Sequence, residues 1–376
     1  MTDSILQVIQ NYDIVQYLLY LFFAAAFIQV LYYIFFYSRV YWFKKKDITT
    51  QTFKEPVSII IAAHNEADNL QRFLPSILEQ NYPNFEVIVI NDRSGDNTDT
   101  IIAQFKEKYP HLRSSFISVN SKITYGKKLA VTIGIKAAKY NNILLTDADC
   151  QATSKNWIQT MAQYFETKDI ILGYGPYLEK KSFINKLIRF DTLFIAIQYF
   201  SFAKAGIPYM GVGRNLAYKK EVFIKNKGLS SHSHIKSGDD DLFISEVSRA
   251  NNTTISIKPE SFIHSEPKDS FRNWAIQKSR HFTTFNNYKG FHKVLLTSEV
   301  LTRVIFYILF FALIYTQFNN YLFIGIASLR FLLFISTLVY STYLFKERNI
   351  SFFIILFDFI SPFINLYVYL RYSKFN

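Results

Sequence analysis

The feature that most constrains this chain is its long apolar runs. Residues 14–38 contain no charged side chain, and a helix needs about 20 such residues to cross a bilayer. No Lys or Arg precedes Arg39, so the basic start of a cleaved signal peptide is missing and we expect an uncleaved anchor. Positive charge follows at Arg39 and 44-KKK-46, which predicts an extracytoplasmic segment at 1–13 and a cytoplasmic domain after the anchor.

The C-terminal part is apolar again and predicts a transmembrane bundle of about three helices over 299–370. The spans are expected near 300–318, 321–345 and 350–370. The short basic loop 346-KERN-349 is typical of a cytoplasmic turn. Arg330 and Asp358 fall inside these spans, where each charge costs roughly 2.5–3.5 kcal/mol, so either they pair or one faces a polar passage. Pro362 leaves open whether the last segment crosses fully.

Composition agrees with a membrane setting. Half of the residues are hydrophobic and 18% are aromatic, which is high for a water-soluble domain. The net charge of +13 fits nucleic acid, an anionic membrane surface or an anionic substrate, and the apolar runs favour the membrane. Cys150 is the single cysteine, so an intrachain disulfide and a cysteine-rich zinc site are excluded.

Between the anchor and the bundle lies a block, 54–268, with the pattern of a soluble domain. Three short apolar runs each end in a polar cluster, as buried strands do. They are 57-VSIIIAA-63, 86-EVIVI-90 and 143-ILLT-146. Residues 66–80 carry apolar side chains at helical spacing, which predicts a β-α-β crossover. The expected fold is therefore α/β, a mostly parallel sheet with helices on both faces and transmembrane helices flanking it.

Acidic side chains follow the predicted strands where the strands end. They are Glu66, Asp92, Asp147 and Asp149. Ligands of such sheets bind beyond the carboxyl ends of the strands, and Mg²⁺ or Mn²⁺ bridges carboxylates to substrate phosphates. The sequence contains no G-x-x-x-x-G-K-[ST] and no G-x-G-x-x-G after a strand, so we expect a metal to hold the phosphates. The alternative is that Asp147 caps a turn and Asp149 begins the next helix.

At this point the chain resembles the membrane-embedded members of glycosyltransferase family 2, which have the Rossmann-like GT-A fold. The resemblance runs from about residue 57 to 282, with the motifs in the order of the family. The matching segments are 57-VSIIIAAHNEADNL-70, 87-VIVINDRS-94, 126-GKKLAVTIGI-135, 147-DAD-149, 211-GVGRN-215, 238-GDDDLF-243 and 277-QKSRH-281.

The resemblance implies roles for individual residues at the donor site. Nucleotide-sugar binding is carried over to Ala63, Glu66, Asp92, Lys127, Asp147 and Asn215. Asp149 and Asp147 match the D-x-D pair that holds Mg²⁺ or Mn²⁺, with Asp149 the stronger candidate ligand. Asp92 matches the second Asp of the D-D-G-S segment of the family, while Asn91 stands in place of the first.

Two further motifs carry the catalytic candidates. In 238-GDDDLF-243 the resemblance makes Asp240 the catalytic base, with Asp239 as the alternative. The acidic run also fits the start of a helix, and one acid can catalyse while others cap. In 277-QKSRH-281, Gln277 and Arg280 match the Q-x-x-R-W motif, whereas His281 replaces the Trp near the acceptor, a change that weakens the case for a polysaccharide acceptor.

The resemblance implies a membrane-bound inverting glycosyltransferase. Its expected donor is a nucleotide-diphosphate sugar, favoured to be a UDP-sugar, and its acceptor a lipid or glycan at the cytoplasmic face of the inner or plasma membrane. The alternatives are a processive polysaccharide synthase that extrudes its polymer and a catalytically dead membrane adaptor. We expect no nucleic acid as a partner because, without a metal, acidic strand ends repel a phosphate backbone, although the basic net charge could serve it. The sugar, the linkage and the oligomeric state stay open.

Three segments have two readings each. Residues 182–206 and 271–291 mix aromatic and basic side chains, so they predict helices at the membrane surface, with core packing as the alternative. The second lies in an interfacial segment, 269–298, that leads into the bundle. His232 and His234 suggest a metal site, but we expect a loop that closes over the donor, because no third ligand lies nearby in the sequence.

Overall fold

The computed structural model describes residues 2–46, 53–118, 126–232, 235, 237–316 and 321–372. The side chains of 2–13 and 44–46 are outside the described set. The prediction that residues 1–13 are extracytoplasmic depends on Met1 and on the charges of 44–46, so it stays a prediction. His234 is also outside the described residues.

The central sheet has seven strands in the order β3-β2-β1-β4-β7-β6-β8. They are β1 Val57–Ala63, β2 Phe85–Asp92, β3 Leu112–Ile117, β4 Asn142–Asp147, β6 Ile170–Gly173, β7 Leu216–Lys219 and β8 Thr253–Ser256. A separate antiparallel pair joins β5 Cys150–Ala152 to β9 Ile263–Ser265. The first four strands of the order are parallel, and β7 runs antiparallel to both of its neighbours. The predicted mostly parallel sheet is confirmed, and the three predicted strands lie in it.

The helices surround this sheet and continue into the apolar runs. Before the long C-terminal segments they are α1 Thr2–Phe35, α2 Ala67–Leu78, α3 Thr98–Lys108, α4 Lys127–Ala137, α5 Trp157–Ala162, α6 Phe183–Lys204, α7 Lys220–Lys225, α8 Asp241–Val247 and α9 Phe271–Phe285. The C-terminal helices are α10 Gly290–Tyr315, α11 Tyr321–Leu344 and α12 Ile354–Tyr372. The predicted crossover helix is α2, and α12 passes through Pro362 without ending.

Alternation along the strands separates two cores. On β1, Ile59 and Ile61 pack towards α2 and α5, whereas Ile60 packs on the other face with α4 and α6. Gly134 allows α4 to approach closely, because a Cβ at this position would lie 2.4 Å from the side chain of Ile60. The second face also carries the end of α1 and the 3-10 segment Tyr37–Lys46, which join the same core. This face of the sheet is therefore the one that meets the membrane helices, and we call it the first-span face.

Within the described residues, four helices are long and apolar enough to cross a membrane. They cover Ile14–Phe43, Gly290–Tyr315, Tyr321–Leu344 and Arg348–Tyr372. The first C-terminal helix, α10, begins at Gly290, nine residues before the predicted bundle boundary at 299, which stays a prediction. Length and composition make the chain a membrane protein.

Buried charges in the bundle compensate one another. Arg330 lies 2.8 Å from Asp358, so the pairing alternative describes these two residues. Asp358 also accepts from Arg303 at 3.2 Å, and Arg303 lies 3.3 Å from Glu299. All four side chains are at most 2% exposed. Two positive and two negative charges cancel within one cluster, which lowers the cost of each charge in an apolar surrounding. The sequence pattern predicts only Arg330 and Asp358 as members of this cluster, and the structure adds Glu299 and Arg303.

The two predicted surface helices differ in their surroundings. In α6 the side chains of Leu187, Phe190 and Phe200 are at most 3% exposed, so the segment 182–206 follows the core-packing alternative, and the expectation of a surface helix is wrong for it. α9 keeps one exposed side and packs its other side on α12, where the rings of Phe271 and Tyr367 are 6.3 Å apart.

Candidate active site

The acidic strand ends meet along one edge of the sheet. Ala63 on β1 is in register with Asn91 on β2, and Ala62 is in register with Asp147 on β4. Neighbouring strands are about 4.8 Å apart, so Asp92, next to Asn91, and Asp147 are separated by only two strand spacings, roughly 10 Å. The edge therefore forms a single acidic rim, as expected for a parallel sheet.

The D-x-D pair forms the acidic centre of this rim. One ligand atom each from Asp147, Asp149 and Cys150 lie within 4.8 Å of one another. Burial, then the charge of Asp147, raises the pKa of Asp149. Burial, then the neighbouring carboxylates, raises the pKa of the Cys150 thiol well above its usual value, so this thiol stays protonated. Two crowded carboxylates and a neutral thiol suit a hard divalent cation with oxygen ligands, and the residues fit Mg²⁺ or Mn²⁺.

Asp149 is held in place from β9. Its Oδ1 accepts hydrogen bonds from Ser265 Oγ at 3.2 Å and from the Cys150 thiol at 3.4 Å, and its carbonyl accepts from the Glu266 backbone N–H. The residue is followed by strand β5. The alternative that Asp149 starts a helix is therefore wrong.

Lys127, the first residue of α4, links the D-x-D pair to the acidic run. Its Nζ lies 2.7 Å from Asp147 Oδ1 and 3.4 Å from Asp239 Oδ2. Desolvation alone lowers the pKa of Lys127, but Asp147, Asp239 and Asp240 outweigh it and raise the pKa well above its usual value. The ammonium therefore remains charged between the two acidic segments.

Asp240 is oriented by two backbone N–H groups. Its Oδ2 accepts from Gly213 N at 2.5 Å, and its Oδ1 accepts from Asp241 N at 2.8 Å as the N-cap of α8. Gly213 permits this approach, because an added Cβ would lie 3.1 Å from Asp240 Oδ2. Desolvation, then the charges of Asp239 and Asp241, raises the pKa of Asp240 to about 6. A carboxyl group with this pKa is ionised at neutral pH and more basic than an ordinary aspartate, which suits a general base.

The third acid of the run has a different surrounding. Asp241 is 4% exposed, and its Oδ2 accepts from Thr284 Oγ1 at 2.5 Å and from Tyr288 Oη at 2.8 Å. Thr284 is on α9, and Tyr288 follows it before α10. Asp241 therefore ties the start of α8 to the segment that leads into the bundle, while Asp240 remains half-buried at the rim.

Glu66 and Asp92 lie on the rim, as predicted. Burial raises the pKa of Glu66, and the charges of Asp149 and Asp147 raise it further, so Glu66 lies within electrostatic range of the D-x-D pair. Asp92 is paired with Arg93 at 2.8 Å. Ala63, the last residue of β1, is 1% exposed because its methyl group packs in the core against α2, and its role at a nucleotide pocket stays a prediction.

Asn215 has a structural surrounding. Its Nδ2 donates to the carbonyls of Tyr174 and Ser261, both at 2.7 Å, and its Oδ1 accepts from Trp157 Nε1 at 3.1 Å. The side chain is fully buried. All of its hydrogen-bonding groups are engaged with protein atoms and hold the loop before β7 in place, and its role in donor binding stays a prediction.

The Q-x-x-R motif on α9 is linked to Arg214, which the sequence does not single out as a site residue, through the hydroxyl of Tyr177. Gln277 Nε2 donates to Tyr177 Oη at 3.2 Å, and Arg214 Nη1 donates to the same oxygen at 3.2 Å. The positive charge of Arg214 lowers the pKa of both Asp149 and His281, so the guanidinium lies within electrostatic range of the D-x-D pair and of α9. The signal was available in 211-GVGRN-215, where a lone Arg follows the two glycines.

The remaining predicted residues lie outside the acidic centre. Arg280 is exposed on α9, and its carbonyl accepts from Ser237 Oγ at 3.1 Å. His232 pairs with Glu246 at 2.9 Å instead of belonging to a metal cluster. Within the described ranges, the one group of three or more potential metal-ligating side chains is the group around the D-x-D pair.

Comparison with known proteins agrees with this geometry. Residues 58–226 match the family described as glycosyl transferase family 2. The poly-beta-1,6-N-acetyl-D-glucosamine synthase of Staphylococcus epidermidis is 39% identical over 95 residues, which are 25% of this chain and 22% of that protein. The enzyme of the same name from Staphylococcus aureus (strain MSSA476) is 36% identical over 106 residues, or 28% and 24% of the two chains. The chain therefore spans about a quarter or less of these curated relatives.

One solved structure shares its fold with this chain over nearly the full length of both proteins. The mannosyltransferase PcManGT of Pyrobaculum calidifontis, determined in complex with GDP-Man and Mn²⁺, superposes with a TM-score of 0.60 at 17% identity. The match covers 94% of this chain and 98% of that chain. The likeness shows a GT-A domain together with its flanking helices.

Proposed function

Because the chain carries a glycosyltransferase family 2 domain with a GT-A fold, we propose that it is a membrane-bound inverting glycosyltransferase. It moves a sugar from a nucleotide-diphosphate sugar to a lipid or glycan acceptor at the cytoplasmic face of the inner or plasma membrane. The observation that carries the proposal is the acidic rim, where Lys127 bridges the D-x-D pair and the acidic run that holds Asp240.

The donor would lie across the rim. Asp149 and Asp147 would hold Mg²⁺ or Mn²⁺, which supplies positive charge for the leaving diphosphate. Lys127 and Arg214 contribute fixed positive charge of their own close to the D-x-D pair. Hydrogen-bond donors and charged groups that are already in position stabilise the charge that develops during the reaction, because they do not need to rearrange. The neighbour of known structure was determined with a nucleotide sugar and Mn²⁺, which supports this class of donor.

Asp240 would act on the acceptor. The acceptor hydroxyl attacks the anomeric carbon, and its proton passes to Asp240. The new C–O bond forms as the bond from the anomeric carbon to the phosphate oxygen breaks, and the diphosphate leaves with the electron pair. A single displacement inverts the anomeric centre. Backbone N–H groups of Gly213 and Asp241 fix the carboxylate in place, and such a base typically contributes 10²–10⁴-fold.

A screen of donors tests the proposal. The purified chain in detergent is incubated with UDP-sugars and GDP-sugars, with and without a chelator, and nucleotide release is followed. We expect release from one donor class, with a UDP-sugar favoured, and loss of release with the chelator. Asp240→Asn should abolish transfer while donor binding remains. Absence of release from every donor, or an Asp240→Asn protein with normal turnover, contradicts the proposal.

A processive synthase is the second candidate. The observation in its favour is that the curated relatives named above are polysaccharide synthases. Four candidate spans and His281 in place of Trp favour single addition. Product length separates the two: a single glycoside supports the first function and a ladder of oligomers supports the second.

A further inference from the structure

The loop before β7 is supported by residues 173–177, which we call the support segment. Asn215 Nδ2 donates to the carbonyl of Tyr174 at 2.7 Å. Arg214 Nε donates to the carbonyl of Gly175, also at 2.7 Å. Both acceptors are backbone carbonyls, so the position of the loop before β7 depends on the position of the support segment.

The same loop orients Asp240. Gly213 N donates to Asp240 Oδ2 at 2.5 Å, and a Cβ added at Gly213 would lie 3.1 Å from that oxygen. At Gly173, the first residue of the support segment, an added Cβ would lie 2.5 Å from the side chain of Asn215. Contacts as close as these transmit displacement, so a shift of the support segment reaches Asp240 through the loop.

Through the side chain of Tyr174, the support segment also contacts the connection between α11 and α12. Tyr174 Oη donates to Glu347 Oε1 at 3.2 Å, and the ring of Tyr174 lies 4.8 Å from the ring of Phe345. Arg189 of α6 donates from Nε to Glu347 Oε2 at 2.8 Å. All four side chains are at most 4% exposed, so the connection between these two membrane helices is inserted into the core of the domain.

The pair of Arg189 and Glu347 fixes the contact with Tyr174. Arg189 Nη2 also donates to Glu347, so both oxygens of the carboxylate are held within the protein. Guanidinium and carboxylate groups orient each other, because their donors and acceptors lie in fixed directions. Replacing a buried ion pair by apolar residues is often neutral or stabilising, so stability alone does not account for this pair. What it provides is a defined position for the hydroxyl of Tyr174.

We propose that Glu347, in the connection between two membrane helices, is a positioning residue for the catalytic base. Glu347 holds Tyr174, the support segment holds the loop before β7, and that loop holds Asp240. The inference rests on the proposed function, because it takes Asp240 as the base. It gives the bundle a role in transfer besides anchoring the domain, since the connection that leaves α11 sets the orientation of Asp240.

Kinetics of the purified full chain test the inference. The assay is nucleotide release from the UDP-sugar or GDP-sugar that the donor screen selects. Tyr174→Phe removes the hydroxyl that joins the support segment to Glu347 and keeps the ring. We expect kcat to fall about tenfold while the donor KM stays within twofold, because a misplacement of about 1 Å can cost roughly 10²-fold in rate. The matched control is Tyr82→Phe, which removes a hydroxyl that donates to the carbonyl of Glu55, just before β1, and should keep kcat within twofold of wild type.

A second variant changes the other partner of the same contact. Glu347→Gln keeps the shape of the side chain and removes its charge. Burial raises the pKa of Glu347 to about 7, so all variants are compared at pH 8, where the wild-type carboxylate is ionised. We expect a similar fall in kcat with an unchanged donor KM. Tyr174→Phe/Glu347→Gln should be no slower than the slower single variant, since both changes break one link.

Several results would overturn the inference. They are a kcat within twofold of wild type in Tyr174→Phe, losses that multiply in the double variant, a rise in donor KM without a fall in kcat, and equal slowing in Tyr82→Phe. If Tyr174→Phe does not fold, the result for Glu347→Gln decides. Normal turnover by Asp240→Asn defeats the proposed function and this inference together, whereas an inactive Asp240→Asn beside a normal Tyr174→Phe defeats the inference alone.

Discussion

Lowering the pH should slow transfer in proportion to the fraction of Asp240 that is protonated. Desolvation and two neighbouring carboxylates raise the pKa of this side chain from 3.8 to about 6. At pH 5, an acid of that pKa is ionised in about one molecule in eleven, so kcat/KM should fall to about one tenth of its plateau. An aspartate with the ordinary value of 3.8 would stay roughly nine-tenths ionised at pH 5, and the rate would hardly change.

The assay is nucleotide release by the purified chain across the pH range, at saturating metal. Asp239→Asn should move the inflection to lower pH, because the charge of Asp239 raises the pKa of Asp240. His281→Gln should not move it to lower pH, because a positive charge on His281 lowers that pKa. The two variants together distinguish titration of Asp240 from titration of His281.

Two results would refute this reasoning. The first is a rate that stays at its plateau down to pH 5 while circular dichroism shows an intact fold. The second is an inflection that does not respond to Asp239→Asn but disappears in His281→Gln. Either result would mean that the group whose ionisation limits the reaction is not Asp240.

Three further changes probe the supports of the site and of the bundle. Asp241→Asn should lower kcat about tenfold or more with little change in donor Kd, because a charged hydrogen bond of about 1.5–3 kcal/mol to Thr284 is weakened. A kcat within twofold of wild type would contradict this prediction. Asn215→Ala should lower the free energy of unfolding by about 2–4 kcal/mol in thermal melts, because two buried carbonyls lose their donor; an unchanged Tm with weaker donor binding would show a ligand-contacting role instead. Arg330→Met should destabilise the protein in detergent by about 3–5 kcal/mol, and adding Asp358→Leu should recover part of this loss; a double variant as unstable as the sum of the single variants would contradict a compensating pair.

Features set by local sequence patterns could be predicted. The β-branched runs of β1, β2 and β4 identify buried strands, and each acidic cluster follows its strand directly. Because parallel strands align their carboxyl ends, the meeting of Glu66, Asp92 and the D-x-D pair along one edge followed from the pattern alone.

Features that join distant parts of the chain could not be predicted in this way. The hydrogen bond from Gly213 to Asp240 spans 27 residues, and that from Thr284 to Asp241 spans 43. Periodicity reports which face of an element is apolar, but not which distant residue it meets. The same reason explains why Glu299 and Arg303 were not recognised as members of the buried charge cluster.

Asn215 and α6 show a second limit on what can be predicted from the sequence. A motif identifies a position, and the same position can serve the ligand or the loop that carries it. Asn215 is engaged with three protein groups, so a contribution to the fold is visible in its contacts, whereas a contribution to donor binding stays a prediction. The basic and aromatic residues of α6 resemble those of an interfacial helix, yet Arg189 and most of the aromatic side chains are buried because the sheet lies on one side and the bundle on the other.

The most direct test of the account is whether the acidic rim binds a divalent metal together with a nucleoside diphosphate. Electron paramagnetic resonance of Mn²⁺ is recorded with the purified chain, alone and with UDP or GDP, in the wild type, Asp149→Ala and the rim-distant control Lys106→Gln. The account predicts one bound Mn²⁺ whose affinity rises with the nucleotide in the wild type and the control, and loss of this binding in Asp149→Ala. Mn²⁺ that binds equally well in Asp149→Ala, or that does not respond to either nucleotide, would contradict it.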